Sequence, residues 1–134
     1  MIILISWLYV LGWASLIYYL SSIPSLDTGL GLWDFILRKG AHILEFLILS
    51  LLLFRAWKRT LRNFTFGNFI TLGSLPAFLY AASDEYHQSL VPGRGPSLVD
   101  VMIDGIGILA AAWLIRKYLI KNKQPQAETR QDMP

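Results

Sequence analysis

Cysteine is absent from this 134-residue chain, which excludes a secreted disulfide scaffold. Charge is scarce as well: Asp, Glu, Lys and Arg make up 16% of the residues, against roughly 25% in ordinary soluble domains. No charged side chain precedes Asp27. So few charges cannot cover a water-facing globule, and their clustering between long apolar runs excludes both a soluble enzyme and a disordered chain. There is no G-x-S-x-G, no H-E-x-x-H and no phosphate loop. The Pro-Ser-Gly-His block of membrane phosphatases that act on lipid phosphates is missing too. Internal repeats and low-complexity linkers are also lacking.

What the chain has in quantity is apolar surface. Apolar residues reach 54%, aromatics 13%, and the mean hydropathy is +0.47. A helix needs about 20 mostly apolar residues to cross the hydrocarbon core. Four stretches qualify, at about 2–20, 36–57, 64–83 and 98–120, and the expected fold is an all-α, polytopic bundle of four transmembrane helices. Residues 1–123 read as a single domain and 124–134 as a polar, disordered tail. The first stretch is too long for a signal-peptide core, lacks a preceding Lys or Arg, and has no A-x-A-like site after it, so it reads as a retained span. Pro76 is expected to kink the third helix. Gly105, Gly107 and Ala110 to Ala112 offer the fourth small residues for close helix contact.

The pI near 9.3 does not point to nucleic acid, because the basic residues flank apolar spans, where they report orientation. Arg55, Lys58, Arg59 and Arg62 lie in one connection. Arg116, Lys117, Lys121, Lys123 and Arg130 lie at the C-terminal end of the last span and beyond it. Four crossings put these nine of the twelve basic residues on one side, with both termini. By the positive-inside rule that side is the cytoplasm. Only Arg38, Lys39 and Arg94 remain for the other side, where seven acidic residues lie.

The remaining polar residues converge at one depth in the outer half of the bilayer. Lys39, His42 and Glu45 recur at three-residue spacing on one face of the second span. Asp84, Glu85, His87 and Gln88 stand where the third span ends. Arg94 sits in the rigid turn Pro92-Gly93-Arg94-Gly95-Pro96, where Asp84, Glu85 and Asp100 are expected to hold its guanidinium. Asp100 and Asp104 are at i and i+4 in the fourth span. A charge at the centre of a membrane helix costs about 2.5–3.5 kcal/mol on insertion scales, so Glu45 and Asp104, the deepest, are poorly explained as solvated surface. Asp27 and Asp34 read as solvated loop residues, and Trp7, Trp13, Trp33, Trp57 and Trp113 as interface anchors or packing.

The string Lys39-Gly40-Ala41-His42-x-x-Glu45-Phe46, then Asp84-Glu85-x-His87-Gln88-x-x-Val91-Pro92-Gly93-Arg94-x-x-Ser97-x-x-Asp100 and Asp104-x-x-Gly107, resembles the VanZ-like family. These are small bacterial membrane proteins named for a teicoplanin-resistance protein. The resemblance covers about residues 20–112. Phe46 stands where the family usually has Tyr, and Asp104 where it usually has Asn. The resemblance implies a polytopic plasma-membrane protein, some of whose relatives lower sensitivity to lipoglycopeptide antibiotics, and carries no mechanism with it.

Two functions of different class fit these residues. The first is an enzyme acting on a lipid-linked cell-wall precursor. Lys39, Gln88, Arg94, Ser97 and Asp104 would contact substrate, while His42, Glu45, Asp84, Glu85 and Asp100 would supply acid–base chemistry. The carboxylates could also hold a divalent metal, Mg²⁺ or Ca²⁺ through oxygen alone and Zn²⁺ with His. The second is a non-catalytic binder that occupies an anionic lipid headgroup through Arg94 and Lys39. Against both stands a bland reading, in which the charges neutralise one another and only lock the helices together. An ion pathway fits Glu45 and Asp104 but not the lack of ionisable groups in the inner half of the spans. Membrane lipids are the expected partners in every case.

The nine-to-three basic asymmetry generates a direct test of orientation. A single Cys introduced at Asn63, clean in a chain without native Cys, is expected to escape an impermeant thiol reagent in intact cells and to react after permeabilisation. Labelling in intact cells would invert the topology.

Overall fold

The computed structural model describes residues 1–24, 31–94 and 97–122. Asp27, the side chain of Asp34, the Gly95 and Pro96 half of the rigid turn and the polar tail 124–134 lie outside the described residues. Helix α1 runs Ile2–Ser21, α2 Leu32–Thr60, α3 Phe66–Phe69, α4 Leu75–Ser89 and α5 Leu98–Lys121. A π-helical stretch, Ile70–Ser74, joins α3 to α4 without a break. These three segments act as one helical arm, so the bundle has four long elements and, among the described residues, no strand. By length and composition, α1 and α5 are apolar enough to cross a membrane.

Local chemistry sets the helix ends. Thr65 opens α3 with a capping box: its hydroxyl accepts from the Asn68 N–H at 3.2 Å, and Asn68 Oδ1 accepts from the Thr65 N–H at 2.9 Å. Ser97 caps α5 by accepting from the Asp100 N–H at 3.2 Å. Two expectations change. The distortion expected at Pro76 appears just ahead of it, as the π-helical stretch: proline lacks the N–H that would bond back to residue 72, and the backbone widens there. The buried Phe69 ring lies over Gly73, where any Cβ would stand 2.5 Å from it. Second, α4 does not stop at Ser83 but continues through Ser89, so Asp84, Glu85, His87 and Gln88 belong to a helix rather than to its exit.

A buried stripe runs along each long helix. On α2 it is His42, Phe46, Leu49, Leu53 and Ala56; on α4 it is Ala77, Ala81, Asp84 and Gln88. The alternating spacing of three and four is the signature of helices packed side by side. Side chains then tie α1 to its neighbours. Trp13 donates to the Glu45 carbonyl at 2.9 Å, Tyr80 to the Ala14 carbonyl at 2.6 Å, and Trp7 to Thr60 Oγ1 at 3.1 Å. Arg59 donates to the buried hydroxyl of Ser6 at 2.7 Å. Trp7 and Trp13 thus bond between helices.

The tightest approach is between α2 and α5. A Cβ on Gly107 would stand 2.2 Å from the Ile43 carbonyl oxygen and 2.9 Å from the Leu47 nitrogen, so only glycine fits. Gly105 has nothing within 4 Å of the same position. Gly107→Ala is therefore expected to destabilise the bundle by about 1–3 kcal/mol, the usual cost of overpacking. Gly105→Ala should be neutral or slightly stabilising through helix propensity. Thermal unfolding of the two variants in one detergent checks the pair, and equal melting temperatures would refute the close contact.

Candidate functional site

The Gly107 contact carries Asp104, one turn earlier on α5, onto His42, just before Ile43 on α2. His42 Nδ1 lies 3.1 Å from Asp104 Oδ1 and 4.0 Å from Glu45 Oε2. Asp104 is only 1% exposed. A carboxylate that deep needs a partner, and the imidazole is the group in contact with it.

One turn nearer the start of α5, Asp100 pairs with Lys39 of α2. Glu85 of α4 accepts from the backbone N–H of Ser97 at 2.5 Å, which fastens α4 to the cap of α5. Asp84 accepts from Gln88 at 2.7 Å along the same helix. His87 meets Ser22 at 2.9 Å and stacks on Tyr18, a contact that holds the end of α1 against α4.

Arg94 is placed by a turn. Its N–H bonds back to the Val91 carbonyl at 3.1 Å, with Pro92 and Gly93 between and Gly93 at φ +81°. Pro at the second position and a left-handed Gly at the third make a type II turn. Sequence reading expected Asp84, Glu85 and Asp100 to hold the Arg94 guanidinium. They do not. Among the described residues, each of those acids has the other partner named above, and Arg94 forms no ion pair. Its Nε is buried without a hydrogen-bond partner.

Two cavities meet at these residues. The larger, about 350 Å³, has an apolar wall of Leu20, Ile23, Pro24 and Ala41 and a polar wall of Arg38, His42, Glu45, Gln88 and Arg94. The smaller, about 170 Å³, shares Arg38, His42, Gln88 and Arg94 and adds Lys39, Gly93 and Asp100. The ten residues singled out in the sequence therefore fall into two rows. Lys39, His42, Glu45, Gln88, Arg94 and Asp100 line a cavity, whereas Asp84, Glu85, Ser97 and Asp104 stand behind and hold the first row or its backbone.

Arg38 was missed as a site residue, having been counted only as an orientation marker. The signal was available: it precedes His42 by four residues and so shares its helix face. The arrangement offers cations, an imidazole and carboxylates around one space. Among the described residues, however, no three His, Asp or Glu are arranged to hold a metal ion. The carboxylates considered for that role, Asp84, Glu85 and Asp100, turn to Gln88, the Ser97 N–H and Lys39.

No curated protein and no solved structure matches the chain. A model of the VanZ/LLP1 family matches residues 6–121, a range that takes in α1 from Ser6 onward, the other long elements whole and every residue of the two cavities. The chain belongs to the VanZ/LLP1 family.

Proposed function

We propose that this chain crosses the plasma membrane four times with both termini in the cytoplasm. Its polar end, at the outer leaflet, binds or acts on an anionic lipid-linked or cell-envelope substrate, an activity linked to teicoplanin-type resistance. Support for the topology comes from the apolar α1 and α5 and from α2, which at 29 residues extends about 44 Å. The basic asymmetry of the sequence supports the orientation.

Arg94 carries the functional reading. Arg94 lines both cavities, and among the described residues it forms no ion pair, Glu45 being the carboxylate that shares the larger cavity with it. A planar guanidinium with open donors suits phosphate or carboxylate recognition. The lock reading draws on Lys39–Asp100, Gln88–Asp84 and Glu85–Ser97, and those contacts do fasten helices. It leaves Arg94 unexplained. It also leaves one carboxylate oxygen each of Asp84 and Glu85, and the Arg94 Nε, buried without hydrogen bonds, which a purely structural network avoids. His42, facing both cavities with two carboxylates beside it, supports acid–base chemistry on whatever Arg94 holds.

Complementation of a strain lacking the protein, read as antibiotic sensitivity with lipidomics of cell-wall precursors, tests this. Arg94→Lys keeps the charge and loses the fork, and is expected to lose most function, roughly tenfold or more, at normal membrane levels. Full activity of the Lys variant removes Arg94 from the site. His42→Ala separates the two classes: a catalyst loses turnover and accumulates its precursor, whereas a binder keeps most of its effect.

A further inference from the structure

The anionic-substrate reading leaves open what kind of molecule the larger cavity takes, and its two walls differ in a way that narrows the choice. Arg38 reaches it from α2 and Arg94 from the turn before α5. Among the described residues neither arginine forms an ion pair, and Glu45 is the carboxylate lining that cavity. Two guanidiniums facing one space repel each other and gain from a shared anion. Lys39 is the more obvious cation in the sequence, but it is engaged with Asp100.

The opposite wall is apolar. Leu20, Ile23 and Pro24 form it at the end of α1. Leu16, Tyr19 and Leu20, on one face of α1, are 41%, 64% and 38% exposed and continue it away from the cavity. A volume of about 350 Å³ is at the small end of the range for small-molecule sites, roughly 300–1,000 Å³. It fits a headgroup rather than a sugar-bearing peptide.

We propose that this cavity binds a phosphate-bearing amphiphile, with Arg38 and Arg94 gripping the phosphate and Leu20, Ile23 and Pro24 receiving the start of its apolar chain. A phosphate presents three or four oxygens around one centre and up to two negative charges, so it matches two planar forks and their charge better than one carboxylate with its two oxygens and single charge. Arg38 is the specificity residue this adds. The proposal rests on the anionic-substrate reading and extends it to a chemical class.

The test uses the full-length protein in phosphatidylcholine nanodiscs, with calorimetric titration corrected against empty discs. Its probes are dihexanoyl phosphatidate, glycerol phosphate and inorganic phosphate. Phosphatidate is expected to bind at least tenfold more tightly than either free phosphate. Arg38→Ala, at an exposed position that folding does not require, should weaken phosphatidate at least tenfold. Ile23→Gln should weaken phosphatidate but leave the free phosphates unchanged. Wild-type affinity in Arg38→Ala, or equal affinity for phosphatidate and glycerol phosphate, overturns the proposal. If no phosphate binds while Arg94→Lys still abolishes function in cells, the amphiphile is wrong and the anionic-substrate reading stands. Full function of Arg94→Lys in cells makes that reading fail first.

Discussion

The contact between α2 and α5 at Gly107 sets the geometry of everything around it. Without a Cβ there, the backbone of α5 lies directly against the carbonyl of Ile43. Dispersion and packing, rather than any hydrophobic drive, hold helices together where the surroundings are themselves apolar. The close approach buries Asp104, and a buried carboxylate costs several kcal/mol unless it is paired. His42 stands beside it because it precedes Ile43 by one residue. The same alignment, carried toward the start of α5, brings Asp100 to Lys39 and places the Ser97 cap where Glu85 can accept its N–H. A single glycine thus determines which acid meets which base along two helices.

Much of this was legible in the sequence, because the polar residues occupy positions that continue an apolar stripe. His42 precedes Phe46, Leu49 and Leu53 at core spacing, and Asp84 and Gln88 follow Ala77 and Ala81 in the same way. A polar residue in a core register is a conspicuous feature, and several at one depth imply a shared compartment. The turn at Gly93 was legible for a similar reason, since Pro-Gly chemistry dictates its own backbone. The pairing of charges was not legible. Which carboxylate an arginine meets depends on how each helix is rotated about its axis, and spacing along one helix says nothing of that. Hence Arg94 was assigned acids that turn elsewhere, and Arg38 was counted as a marker of orientation while its side chain lines both cavities. Helix ends were the other blind spot: hydropathy stops at Ser83, but backbone hydrogen bonding does not.

The two ends of the bundle are built on different terms. At the end carrying Ser6, Trp7, Arg59 and Thr60, two donors find acceptors across helices: Trp7 bonds Thr60 and stacks edge-on against Trp57, while Arg59 bonds Ser6. The Trp57 Nε1 alone is buried there without an acceptor among the described residues. Cations there also lie over rings, with Lys58 4.4 Å from the Tyr118 centroid and Lys117 3.8 Å from that of Trp113. At the other end, polar atoms of Asp84, Glu85 and Arg94 remain buried without hydrogen bonds. Each such atom costs about 1–3 kcal/mol. A bundle already fastened at one end can carry that cost at the other.

That asymmetry separates fastening from function within the polar end itself. Lys39–Asp100 and Glu85–Ser97 join elements, and Gln88–Asp84 stiffens α4; these contacts would serve a protein with no ligand at all. Subtracting them leaves Arg38, Arg94, His42 and Glu45 on cavity walls, with two guanidiniums that form no ion pair among the described residues. A network selected only to hold helices together would have spent those charges on the nearby acids, which instead meet Lys39 and two neutral donors. The fastening contacts hold the rim in shape, and the unspent charges face the space that the rim encloses.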